Sequence, residues 1–381
     1  MLTDYVLNKL DTLFLRFHSF RFPKLSIVFF MLGLIFMFSF PNYNLIVNEG
    51  HLNSGRITFI NKQINNPLDS SVCAQINPKE HESKRAFRIL IPSIAHVLHI
   101  DYLGVFILET LLGIVFLYLI FDYFLNITND YLLSCYLLFG VSSIYLGKSA
   151  FLDIGAFYDF FAFFVSLLII RLSYFLVIFT LCVMGSFIDE RFIIAMPLLV
   201  LFKTYNSPNM GVLLKSASPF VLAVITVTII RVYLSHAFGL HVPMGNGSDI
   251  GISAFQKDFQ YLPLGFFSGL EFLWLIIAYA LFELIKSGQK KLAIAYSTAT
   301  FSIIVASFMV FDITRSITYV YPSFLLAILF LTKTNTLASY VNAIKLCCLG
   351  CFLFATFYVE APTYVGWISP IFPKILKLIP E

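Results

Sequence analysis

Long apolar runs recur in this chain from Leu25 to Val359, separated by short polar breaks and two longer polar loops. About 20 apolar residues in helical form suffice to cross the hydrocarbon core of a bilayer, and a helix satisfies its own backbone polar groups there. Of the 381 residues, 59% are hydrophobic and 12% charged, against roughly 25% charged in soluble domains. The pattern predicts an all-α fold, a polytopic transmembrane helix bundle of about eleven spans, forming a single domain over residues 1–381. The expected spans are Leu25–Tyr43, Tyr102–Tyr123, Tyr131–Leu146, Ile154–Ile170, Tyr174–Ile188, Phe192–Phe202, Ser216–Leu234, Leu264–Ile285, Leu292–Phe311, Tyr319–Leu331 and Leu346–Val359.

The distribution of cations sets the orientation, because Lys and Arg accumulate in short cytoplasmic loops. Lys9, Arg16, Arg21 and Lys24 precede the first span, and Lys286-Ser-Gly-Gln-Lys-Lys291 forms the most basic short break. Both point to a cytoplasmic N-terminus in a cell inner membrane, with the loops Asn44–Arg88 and Ser235–Pro263 outside. The basic residues of the first long loop weigh against that assignment. A net charge of +4 is too small to suggest a nucleic-acid partner. The six cysteines are scattered without metal-ligand spacing, so neither a metal site, a disulfide framework nor a cofactor is expected.

Within this frame the ionisable residues stand out. Asp189-Glu190-Arg191 lies between two apolar runs, and Asp312 and Arg315 open a late one. Charges in such places either form an exposed turn at the headgroups or line a polar cavity. If the second, Glu190 faces the cavity and Asp189 caps the following helix, since consecutive helical residues point about 100° apart. In the first loop a surface helix is expected around Ile57–Ile64. The segment Lys84–Ile100, too short to span, is expected as a re-entrant or interfacial helix led by Lys84, Arg85 and Arg88, where an anion would find cations and unpaired amides. Headgroup anchoring is the other role open to these cations. Glu109 and Glu271 fall inside spans and should face the bundle interior, with Arg231 the cation in reach of either.

Arg85-Ala-Phe-Arg-Ile-Leu-Ile-Pro92, then Tyr158-Asp159, then Asp189-Glu190-Arg191, with Asp312-Ile-Thr-Arg315 as a late counterpart, resemble the GT-C class of multispanning glycosyltransferases and the bacterial membrane proteins grouped with it. The resemblance implies sugar transfer on the outer face from a polyprenyl-phosphate-linked donor to a glycan or lipid acceptor, in envelope polysaccharide synthesis. It implies an acidic base in the first outer loop, for which Glu49 comes first and Asp69 second. Arg85 and Arg88 would hold the carrier phosphate, and Asp159, Asp189, Glu190, Arg191, Asp312 and Arg315 would bind substrate. The paired acids that many members carry after the first span are missing: the region reads Asn42-Tyr-Asn-Leu-Ile-Val-Asn-Glu49. An O-antigen-type polymerase and a lipid-linked sugar transporter or flippase are the alternatives; for the latter, Glu109, Glu271 and Arg231 would mark a midplane pathway.

Overall fold

The computed structural model describes residues 2–39, 55–69, 86–152, 158–206, 209–240, 251–252, 255–256, 259–310, 312–354, 357–360 and 364–367. In chain order the helices are α1 (Leu2–His18), α2 (Pro23–Ser39), α3 (Gly55–Asn65), α4 (Leu90–Val97), α5 (Tyr102–Thr128), α6 (Tyr131–Ser143), α7 (Tyr145–Leu152), α8 (Asp159–Arg171) and α9 (Phe175–Ile188). There follow α10 (Phe192–Thr204), α11 (Met210–Phe238), α12 (Leu262–Leu270), α13 (Leu273–Lys286), α14 (Lys290–Ser307), α15 (Ile313–Thr318), α16 (Tyr321–Lys333) and α17 (Leu337–Leu353). Helices form where the first long loop leads us to expect them, α3 over Gly55–Asn65 and α4 over Leu90–Val97, and α3 buries Phe59, Ile60, Gln63 and Ile64 against the protein.

Three helical stretches are long and apolar enough to cross a membrane: α5, α11 and the continuous run Ile313–Lys333. Two further pairs pass the same test together but are sharply bent, α6 with α7 by 63° and Phe259–Leu270 with α13 by 83°, which makes up to five spans by length and composition among the described residues. Several of the eleven expected spans are thus shorter or broken. The last differs in kind. Helix α17 ends at Leu353, and Phe357–Glu360 (β1) pairs antiparallel with Tyr364–Trp367 (β2), Phe357 opposite Trp367. Aromatic and β-branched residues in both segments favour extended backbone, so the all-α expectation gains a two-stranded hairpin.

Caps fix the long helices. Asp101 accepts from the Gly104 amide at 3.0 Å, Asp130 from Leu133 at 2.9 Å and Asn209 from Val212 at 3.0 Å, each satisfying an amide that the first turn leaves without a partner. The run Ile313–Lys333 is the axis of the molecule, with 94% of its apolar window buried, whereas that of α11 is only 22% buried. Helix α11 leaves Val221, Leu222, Ile225, Ile229, Val232 and Tyr233 exposed, an uncovered apolar face of the kind lipid covers.

Close backbone approaches seat the short helices. On α12, Gly265 and Gly269 meet Ile313 and Ile317 of α15 so tightly that a Cβ at either glycine would collide with those side chains. A small residue every fourth position is what lets helices pack closely without a hydrophobic driving force from water. Beside this contact the Ser268 and Thr314 hydroxyls lie 2.6 Å apart. Gly185 near the end of α9 has the Phe192 ring where a Cβ would sit, which folds α9 and α10 into a tight hairpin with Asp189, Glu190 and Arg191 at its bend.

Candidate functional site

The bend between α9 and α10, the start of α8, the start of α15 and the chain leading into α4 converge on one ionic network. Asp189 is fully buried and accepts from the Arg191 amide at 2.8 Å and from Arg191 Nε at 2.9 Å, which fixes both residues at the bend. Arg191 then reaches out of its own hairpin: Nη2 donates to Asp159 Oδ1 at 2.5 Å and Nη1 to Ser316 Oγ at 3.1 Å. Asp159 accepts on its other oxygen from Arg315 Nε, and Arg315 Nη1 donates to Asp312 Oδ2 at 2.9 Å. One carboxylate therefore joins α8 to both α10 and α15.

The outer member is Arg88. Its Nε donates to Glu190 Oε2 at 3.0 Å and its Nη2 to Glu190 Oε1 at 2.6 Å, a paired arrangement in which two parallel bonds lock both planes. Arg88 Nη1 also stands 3.3 Å from Asp189 Oδ2. Helix α3 secures this approach: Gln63 donates to the Arg88 carbonyl at 3.4 Å, the Ile64 carbonyl is 3.0 Å from His96 Nδ1 on α4, and Asn61 accepts from the Tyr102 amide at 3.2 Å.

The network holds three guanidiniums (Arg88, Arg191, Arg315) against four carboxylates (Asp159, Asp189, Glu190, Asp312) among the described residues. It is also graded in exposure, with the Arg315 side chain 0% exposed, Asp189 0% and Glu190 37%. Glu190 is therefore the most exposed carboxylate of the network, whereas Asp189 is buried and bonded to a main-chain amide. Tyr319 lines the inner side with its ring 5.6 Å from the Arg191 guanidinium. Its hydroxyl is buried and has no hydrogen-bond partner among the described residues.

Of the residues singled out from sequence, Arg88, Asp159, Asp189, Glu190, Arg191, Asp312 and Arg315 are brought together here. Glu49 and Arg85 lie outside the described residues. Asp69 is described and exposed, in the turn after α3. The expected pairing of Arg231 with Glu109 or Glu271 is not what forms. Arg231 stands by the hairpin bend, where Glu190 and Asp189 attract it and Arg88 repels it, while Glu271 is the charge that attracts buried Lys148. Lys148 lies on α7 and Glu271 at the break between α12 and α13, and α7 packs on α12, so the two buried charges sit in one neighbourhood of the two bent helices. Glu271 there adopts φ 49° and ψ −126°, a conformation that costs a non-glycine residue on the order of 1–3 kcal/mol. Phe266 and Trp274 close over the break with rings stacked at 4.3 Å and the indole N–H donating to the Phe266 carbonyl at 2.9 Å. The Gly265–Gly269 spacing and Lys148 were the sequence signals that reading by charge clusters alone passed over.

The opposite ends of the same helices are basic. Helix α8 runs from Asp159 to Arg171, which donates to Asp122 at 2.5 Å; Asp122 also accepts from Lys24 at 2.6 Å. Helix α10 runs from the hairpin bend to Lys203, which donates to the Ile170 carbonyl at 3.0 Å, and α16 ends at Lys333, which donates to Asn206 at 2.6 Å. At 1.5 Å per residue the thirteen residues of α8 or of α10 separate the two ends by about 20 Å.

Comparison with models of known families, with curated proteins and with solved structures gives no match.

Proposed function

We propose that this chain is an integral membrane glycosyltransferase that takes a sugar from a polyprenyl-phosphate-linked donor on the outer face of the cell inner membrane, in envelope polysaccharide or glycolipid synthesis. The observation behind this assignment is the convergence of four separated segments on one graded ionic network that opens at the Glu190 carboxylate. At about 20 Å from the basic helix ends, against roughly 30 Å of hydrocarbon thickness, charges of this kind are held at membrane depth only inside protein. That is where a sugar tethered to a lipid presents its phosphate and hydroxyls. With the basic ends cytoplasmic, the bundle has about eleven crossings once its short and bent helices are counted.

In the transfer, the bond from the sugar C1 to the carrier phosphate oxygen breaks, and the polyprenyl phosphate leaves with the electron pair. The acceptor oxygen bonds to C1, and its proton passes to a carboxylate of the first outer loop, Glu49 or Asp69. Fixed cations that stabilise the leaving phosphate supply the main electrostatic gain. Arg85 is assigned to that phosphate. Arg88 is committed to Glu190 and acts by holding it, while Glu190 accepts hydrogen bonds from sugar hydroxyls.

A second reading, a lipid-linked sugar transporter, is favoured by one observation: the two bent helices carry the buried charges Lys148 and Glu271 at or beside their breaks, where transporters place substrate and ion sites. One experiment separates the two. In a strain deleted for the chain, the transferase reading expects a surface glycan that lacks a sugar, restored by the wild-type chain and not by Glu190→Gln at matched protein level. The transporter reading expects the sugar-charged lipid to accumulate in the inner leaflet. An unchanged glycan profile in the deletion strain overturns the assignment.

A further inference from the structure

The three arginines of the network have carboxylate partners, but a fourth guanidinium stands beside them without one. Arg231 is on α11, seven residues before its end at Phe238, and turns inward from the most lipid-exposed of the long helices. Its Nη2 donates to the Ser186 carbonyl in the last turn of α9 at 3.0 Å. Its guanidinium lies over the Phe87 ring at 5.2 Å and near the Phe187 ring at 5.9 Å. Nε is buried without an acceptor, and no carboxylate lies within salt-bridge distance of the side chain among the described residues. An arginine has five N–H donors and cannot shed its proton, and a buried donor left unmade costs the full desolvation of that group.

Two rings orient this cation, and Glu190 and Asp189 attract it from beyond salt-bridge distance while Arg88 repels it. Phe87 and Phe187 pack on the guanidinium with the apolar side chains of Val227, Leu234 and Leu240 around them, an arrangement in which ring faces hold the cation in place. Phe87 is the neighbour of Arg88, and Ser186 and Phe187 precede the hairpin bend, so the half-buried Arg231 adjoins the open Glu190 end of the network.

We infer that Arg231 is an anion-binding residue of the site, beside the Arg85 assigned above, and takes a phosphate oxygen pair, carried by a lipid headgroup or free in solution, between α11 and the α9–α10 hairpin. Phosphate matches the planar fork of an arginine, which a lysine does not reproduce. A phosphate there and a sugar or other polyol at Glu190 would belong to one ligand. The inference rests on the network being a ligand site and needs no sugar transfer, so a binding measurement tests it apart from the enzymatic assignment.

The protein is placed in phosphatidylcholine bilayers with a minor share of phosphatidic acid, extracted in mild detergent, and the lipid it retains is counted by native mass spectrometry. The wild-type chain is expected to retain phosphatidic acid, Arg231→Gln to retain it about tenfold less or worse, corresponding to about 1.4 kcal/mol, and Arg231→Lys to fall between. Lys215→Gln removes an exposed cation from the other end of α11 and is expected to change nothing. Displacement of the lipid by millimolar inorganic phosphate identifies free phosphate as an equal ligand; resistance to it identifies the lipid headgroup. Equal losses in Arg231→Gln and Lys215→Gln would reduce Arg231 to general attraction for anionic lipid and overturn the proposal. So would wild-type retention in Arg231→Lys, which also decides the matter if the glutamine variant does not fold.

Discussion

Arg88 and Glu190, 102 residues apart in the chain, face each other through two parallel hydrogen bonds of 3.0 and 2.6 Å. The pair seals the segment before α4 against the bend of the α9–α10 hairpin. It also sets how far Glu190 can turn outward, because both carboxylate oxygens are held from one side.

Arg88→Lys keeps the charge and loses the paired geometry. We expect a stability loss of about 1.5–3 kcal/mol, the range for hydrogen bonds to charged groups, read as a lower thermal midpoint in detergent. Glu190→Gln should cost less, since its side chain is 37% exposed and water replaces part of what it loses. In the double variant Arg88→Lys/Glu190→Gln the loss should fall short of the sum of the two single ones by about 0.5–3 kcal/mol. Strict additivity would mean that the two residues do not interact in solution.

Asp159 has the heaviest structural duty because Arg191 and Arg315 both bind it. Replacing it by Asn leaves two buried guanidiniums facing a neutral group, and breaking a buried pair costs about 3–5 kcal/mol. Asp312→Asn removes the carboxylate that Arg315 Nη1 meets but leaves Arg315 its bond to Asp159, and should be milder. The amount of monodisperse protein recovered by gel filtration ranks the two, and the reverse order would remove Asp159 from the centre of the network.

Tyr319→Phe deletes a buried hydroxyl that has no hydrogen-bond partner among the described residues. Stability should stay level or rise slightly, since no internal bond is lost. If the hydroxyl serves a ligand, activity or ligand retention should fall about tenfold, near the value of one hydrogen bond to a charged group. A variant that is both less stable and fully active would show the hydroxyl to be structural.

Lys148 and Glu271 are expected to behave as a unit. Lys148→Met alone and Glu271→Gln alone should each destabilise the chain, because each removes a charge that attracts the other while both are buried. The double variant should regain most of the loss. Thermal unfolding of all four proteins tests this, and a double variant worse than either single one would show that each charge has its own separate partner.

Topology is open to a direct check. With Ser248→Cys and Ser287→Cys made one at a time, a membrane-impermeant thiol reagent applied to intact cells should label position 248 and spare position 287. The opposite pattern would invert the bundle and put the network on the cytoplasmic face.

Much was legible without coordinates. The apolar runs and their punctuation gave helices at nearly every expected place, because a hydrophobic stretch can satisfy its backbone only by closing bonds within itself. The charges isolated among those runs were recognisable for the same reason: Asp159, Asp189, Glu190, Arg191 and Arg315 cost too much in an apolar setting to be incidental. The hydrogen bond to an amide expected of Asp189 forms, to Arg191, but Asp189 ends α9 in extended backbone rather than capping α10, which a pattern of neighbouring charges does not reveal. Helix length and partnership were a different matter. Whether an apolar run becomes one straight span or two bent pieces depended on a backbone conformation at Glu271 and an extended residue at Ile144, local departures that composition does not encode. Which acid meets which arginine was set by close packing at Gly185, Gly265 and Gly269, contacts between segments far apart in sequence. Ion pairs act over a few ångströms, so sequence could name the charges, while only the packed bundle decided that Arg88 closes on Glu190, that Lys148 is buried within reach of the Glu271 charge, and that Arg231 stands beside the network with donors to spare.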